Sequence, residues 1–85
     1  MKVRVECELR SVNKGREFKR RDGSMDNNYT IMVEADGYAE TFPTTKEVFD
    51  YFDKGFVNKG DMVTLEADYC PRYKFNQFVV VRAER

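Results

Sequence analysis

Residues 29–55, YTIMVEADGYAETFPTTKEVFDYFDKG, decide the fold. Tyr29, Ile31, Val33 and Ala35 recur at every second position, the period of a strand with one buried face. Asp36-Gly37 is a two-residue hairpin signal, after which Tyr38 to Phe42 returns as a second short strand. Pro43 ends that strand because it brings no N–H to a ladder. Thr44 stands three residues before Glu47, a capping box in which hydroxyl and carboxylate each satisfy a backbone amide at a helix start. The predicted helix covers Thr45 to Lys54, with Val48, Phe49 and Phe52 on one face and Gly55 as the left-handed residue that ends it.

Toward the N-terminus, Val3, Val5, Cys7 and Leu9 alternate with Lys2, Arg4, Glu6, Glu8 and Arg10, which predicts a first strand over residues 2–12. From Asn13 to Asn28 the alternation vanishes into NKGREFKRRDGSMDNN, with turn signals at Asn13-Lys14-Gly15 and Asp22-Gly23, so this stretch is expected to be a long protruding loop. Toward the C-terminus, Asn58 to Asp61 reads as a turn and Val63, Leu65, Ala67 and Tyr69 as strand four. Cys70 to Lys74 reads as a short loop, with Phe75 to Ala83 as strand five. The expected fold is mainly β: a five-stranded OB-fold Greek-key barrel with one short helix between strands three and four. In that architecture the loops joining strands one to two and four to five rise beside the binding face.

An 85-residue chain holds one domain, residues 1–85, and must build its core from 41% apolar residues. No apolar run approaches the roughly 20 residues that span a bilayer, and the opening Met1 to Glu6 has no apolar signal region. A cytoplasmic location without membrane contact is therefore expected. Two cysteines and no histidine supply neither a disulfide framework nor the ligands of a zinc site, so Cys7 is expected to be a buried thiol and Cys70 a thiol at a loop shoulder. No metal or other cofactor is expected. The formal net charge of zero is a cancellation. Residues 1–25 carry eight basic and four acidic groups, residues 26–68 three and ten, and residues 69–85 four and one. If the two ends meet in the fold, they form a positive face opposed to an acidic one.

The candidate site residues fall in the two loops. Lys14, Arg16, Lys19, Arg20 and Arg21 surround Phe18 with a single acid among them, and Arg72, Tyr73, Lys74 and Phe75 repeat the mixture. Cations bind phosphates and a ring stacks on bases, so this composition fits a single-stranded nucleic acid. Tyr29 opens strand two beside the first loop, and its parity with Ile31 suits core and binding equally. Thr30 and Met32 are expected to face outward from strand two. Tyr38, Phe42 and Phe78 are expected in the core, and Arg82, sharing parity with Val80, is a candidate phosphate contact. An enzyme needs a base, an acid or a nucleophile with an orienting partner, and no such motif stands out, so no catalytic residue is expected.

The start MKVRVE, the stretch REFKRRDGSMDNNYTI and the closing GDMVTLEADYCPRYKFNQFVVVRAER resemble the gene V-type single-stranded-DNA-binding proteins of filamentous phages and mobile elements. The resemblance implies an OB-like barrel that coats single-stranded DNA without sequence preference, cooperatively and as a homodimer, in replication or recombination. It also implies that Arg16 and Arg21 act as basic residues of a DNA-binding wing. Tyr29 would stack at the wing's end, Phe75 would be an aromatic of the second loop, and Arg82 a basic residue of the last strand. The acidic helix positions Glu47, Asp50 and Asp53 would face a replication or recombination partner. Two other readings use the same loops: a protein-interaction or inhibitor module, and an RNA-binding module, although no residue type here marks recognition of a 2′-hydroxyl.

Overall fold

A computed structural model describes residues 1–70, 74–75 and 78–84. Among these residues, six antiparallel strands and one helix follow in the order β1 (Lys2–Lys19), β2 (Met25–Ala35), β3 (Tyr38–Thr44), α1 (Lys46–Asp53), β4 (Met62–Cys70), β5 (Lys74–Phe75) and β6 (Val79–Glu84). The strand order is β3-β2-β1-β4-β5, with β6 also paired to β4. β1 belongs to two ladders. Its first half, Lys2 to Glu8, pairs with β4, and its second half, Glu8 to Lys19, pairs with β2. The changeover coincides with a bulge at Arg10, which lies between the pairs Leu9–Val33 and Ser11–Met32. Bulges sharpen the local bend and twist of a strand. Here the bulge also shifts the inward parity, so that Leu9 and Val12 are both buried although they are three residues apart.

The core lies on one face of this bent sheet: Cys7, Leu9, Val12, Ile31, Val33, Val63, Leu65 and Ala67 from the strands, Val48 from the helix, and Val57 and Phe78 from the connections. Burial pushes the Cys7 thiol above its ordinary pKa. The helix turns Val48 inward, with Phe49 and Phe52 partly buried beside it. The two ends of the sheet meet at one point. The Phe78 N–H donates to the Pro43 carbonyl at 2.8 Å, the buried Thr44 hydroxyl donates to the Phe78 carbonyl at 2.6 Å, and the Phe42 and Phe78 rings lie 4.5 Å apart. β3 is thereby fastened to the start of β6.

The structure corrects several expectations. Residues 13–28 are not a loop. β1 continues to Lys19 and β2 begins at Met25, and only Arg20 to Ser24 turn, closed by the Arg20 N–H on the Ser24 carbonyl at 2.8 Å. The strands of this extension lie beyond the core and bury neither face, which removes the alternation that marks a half-buried strand. The β3 ladder runs through Pro43, opposite Thr30, to Thr44 opposite Tyr29, since an edge strand tolerates the missing N–H. The helix cap is Thr45, whose hydroxyl accepts from the Val48 N–H at 3.3 Å, while Thr44 is committed to Phe78. Tyr38 is exposed at the hairpin rather than part of the core, whereas Phe78 is buried. The expected fifth strand is two segments, β5 and β6, and Cys70 closes β4. Val80 pairs with core-facing Leu65 and Arg82 with Thr64, so the extra residue Val81 places them on opposite faces.

Candidate nucleic-acid interface

The β1–β2 extension is a projecting hairpin with its own irregularity. Lys14 pairs with Tyr29 and Glu17 with Asn27, so Gly15 and Arg16 together face Asn28. A Cβ at Gly15 would stand 3.1 Å from the Asn28 carbonyl oxygen, which is why a glycine occupies the crowded side of this bulge. The Asn27 side-chain amide donates to the Gly15 carbonyl at 3.3 Å. At the tip, Asp22 accepts from both the N–H and the hydroxyl of Ser24, at 2.9 and 2.6 Å, and these bonds hold its carboxyl below the usual carboxylate range. Gly23 takes a φ of 90° that suits glycine.

This hairpin gathers seven of the sequence-predicted residues: Lys14, Arg16, Phe18, Lys19, Arg20, Arg21 and Tyr29. Arg16, Lys19 and Arg21 are exposed and form no ion pair among the described residues. Phe18 is 40% exposed, a large ring left in solvent on a strand opposite Asp26. Arg20 is paired with Asp26, whose carboxyl is held low by that guanidinium and by the Asn27 N–H. Tyr29, at 8% exposure, packs its ring 5.4 Å from that of Phe49, so it forms a wall at the hairpin's base rather than a free platform.

Between this base and the helix start lies a cleft of about 620 Å³, bordered by Phe18, Arg20, Asp26, Tyr29, Thr30, Pro43 and Lys46, with Asn27 and Asn28 completing the hairpin side. Thr30 is thus at the cleft, while Met32, also partly exposed, pairs with Ser11 and Thr41 further along the outer face of the sheet. The chain returns from the second loop at Phe78, which hydrogen-bonds to Pro43, itself a wall of this cleft.

No family model, curated protein or solved structure matches the chain. Arg72 and Tyr73 lie outside the described residues, and Lys74 and Phe75 form β5 against Tyr69 and Cys70. Arg82 is not brought to the cleft: it lies on β6 opposite Thr64 and shares a separate depression with Arg4 and Glu6. The basic N-terminus does not join the hairpin either. Lys2 and Arg4 both bind Glu66 on β4, at 3.1 and 2.8 Å, and Arg4 meets Arg82 of the last strand at that depression.

Sequence reading passed over Lys46, Asp26, Asn27 and Asn28. Lys46 carried a signal: it is a cation at the first helical position, where the helix dipole disfavours positive charge. A second, smaller groove of about 230 Å³ is apolar, between Tyr51, Phe56 and Val57 at the helix end and Val80 and Val81 of β6. Among the described residues, no helix is long and apolar enough to cross a membrane, and no three His, Cys, Asp or Glu residues are grouped to hold a metal ion.

Proposed function

We propose that the chain is an OB-type module that binds single-stranded DNA without sequence preference, through the β1–β2 hairpin and the cleft at its base. The observation that carries this reading is the hairpin itself: exposed Arg16, Lys19 and Arg21 around a solvent-facing Phe18, on strands that extend past the core they would otherwise serve. Phe18 is 40% exposed and borders the cleft at the hairpin's base, where its ring is open to a ligand. The cations neutralise phosphates while the ring stacks on a base, which is worth roughly 1 to 3 kcal/mol per base and is indifferent to sequence. The strand order β3-β2-β1-β4, the helix between β3 and β4, and the fastening of Phe78 to Pro43 and Thr44 support the barrel assignment.

The test is fluorescence anisotropy with labelled dT, dA and mixed oligomers, with duplex and RNA competitors, over a salt series. Each phosphate neutralised on a single strand contributes about −0.7 to the slope of log affinity against log salt, so about four contacts give a slope near −3. Micromolar or tighter binding that ignores sequence and weakens with salt is expected. Replacing Phe18 by Leu should weaken DNA binding severalfold, whereas a hydrophobic protein contact would survive that change. Salt-independent binding, or none at low salt, would refute the reading and redirect the search to a protein partner of the hairpin.

A further inference from the structure

Two cations of the cleft come from different elements. Arg20 enters from the hairpin turn and Lys46 from the first position of the helix. The helix dipole opposes a cation at that position, so helix stability does not account for the lysine. Asp26 lines the same cleft, paired to the Arg20 guanidinium and accepting the Asn27 N–H at 2.8 Å. The charge of Lys46 also acts on this carboxylate. An oxyanion held by a guanidinium and a backbone N–H, with an ammonium on the same cleft, has a donor set that also suits a phosphodiester. Phe18, the cross-strand partner of Asp26, borders the same space and offers a face to the adjoining base.

We propose that Arg20 and Lys46 form a phosphodiester subsite, which the Asp26 carboxylate fills in the ligand-free chain and which a phosphate of the bound strand takes over. This rests on the single-stranded-DNA reading. The Arg20–Asp26 pair is then an internal competitor: each binding event breaks it and leaves Asp26 as a residual repulsion, lowering affinity below what the hairpin's cations would give. The exchange is balanced in charge, one anion replacing another at the guanidinium.

The experiment measures binding of a fixed dT oligomer, across a salt series, to wild type, D26N, R20Q, the D26N/R20Q double variant, K46Q and D22N. Asp22 lies in the same turn but bonds to Ser24, so D22N controls for the general loss of one negative charge. D26N is expected to bind roughly three- to tenfold tighter than wild type, beyond any gain in D22N, with a slope steeper by about 0.7. That gain should vanish in the R20Q background, where the guanidinium is gone. K46Q, outside the hairpin and unable to disturb its turn, should lose affinity and shallow the slope by about 0.7. A D26N variant no tighter than D22N, a gain that survives R20Q, or a K46Q variant that binds like wild type would overturn the subsite while wild-type binding left the broader reading standing. No binding by any of the six proteins at low salt would overturn both.

Discussion

At the scale of single residues, two adjacent threonines perform different tasks. Thr45 caps the helix through its hydroxyl, a contact worth about 1 kcal/mol in comparable positions. Thr44 is fully buried, and its hydroxyl donates to the Phe78 carbonyl where β3 meets the start of β6. Removing a buried donor costs the hydrogen bond and leaves its acceptor poorly compensated, about 1 to 3 kcal/mol. Thr44→Val, which keeps shape and volume, should therefore destabilise the protein more than Thr45→Ala in urea unfolding. Equal losses, or a larger one for Thr45→Ala, would show that Thr44 does not fasten the sheet ends. A capping box at Thr44 predicts the opposite ranking, because Thr44 would then serve only the helix. Both residues are cap-forming types and Thr44 alone has the glutamate three residues on, so what decides between them is Phe78, 34 positions further along the chain from Thr44.

At the scale of elements, the hairpin formed by Lys14 to Lys19 and Met25 to Asn28 has ladder hydrogen bonds but no buried side chain beneath it. Elements with few buried apolar contacts open locally at small cost, whereas core strands exchange only on global unfolding. Amides of Phe18, Lys19 and Met25 should accordingly exchange much faster than those of Leu9, Ile31 and Leu65 in hydrogen-exchange NMR, and slow when dT oligomer is added. Protection equal to the core in the free protein would instead mark the hairpin as preorganised. The same lack of burial explains what could be read from the chain. Tyr29 to Ala35, the helix face of Val48 and Phe52, and Val63 to Ala67 all press on the core and display its period, while exposed Asp36-Gly37 is legible from its turn chemistry. The hairpin's residues do not, so their strand character was hidden although their cations and Phe18 were plain. Bulges hide equally well: Arg10 and Val81 each shift parity by one, and nothing in either residue type announces it. Lys46 does not stand out in the sequence as a site residue because its neighbours in the cleft, Arg20 and Asp26, lie 26 and 20 residues away along the chain.

At the scale of the whole molecule, the charges sort by whether they are spent on the fold. Lys2 and Arg4 on β1 converge on Glu66 of the adjacent β4, tying the first strand to the strand that also carries β6. Arg4 first and Lys2 second, by hydrogen bonds, hold the Glu66 carboxyl below its ordinary value of 4.5. Arg20 likewise holds Asp26 below 3.8. The sign follows from linkage. A carboxylate whose pKa is lower in the folded chain than in the unfolded one stabilises the fold at pH above the unfolded value, and that contribution is lost as pH falls through the folded value. Stability should thus hold from neutral pH to about pH 5 and decline below about pH 4, where the unfolded chain takes up protons that the folded chain resists. Glu66→Gln removes one of these groups at all pH values. In thermal melts this variant should be less stable than wild type near neutrality and approach wild type as the solution is acidified, since a protonated Glu66 carboxyl and the amide that replaces it are both uncharged. The two curves running parallel down to low pH would mean that the Lys2–Glu66–Arg4 pairing contributes nothing to folding, and that β1 is held to β4 by its ladder and by Cys7 and Leu65 beneath it alone.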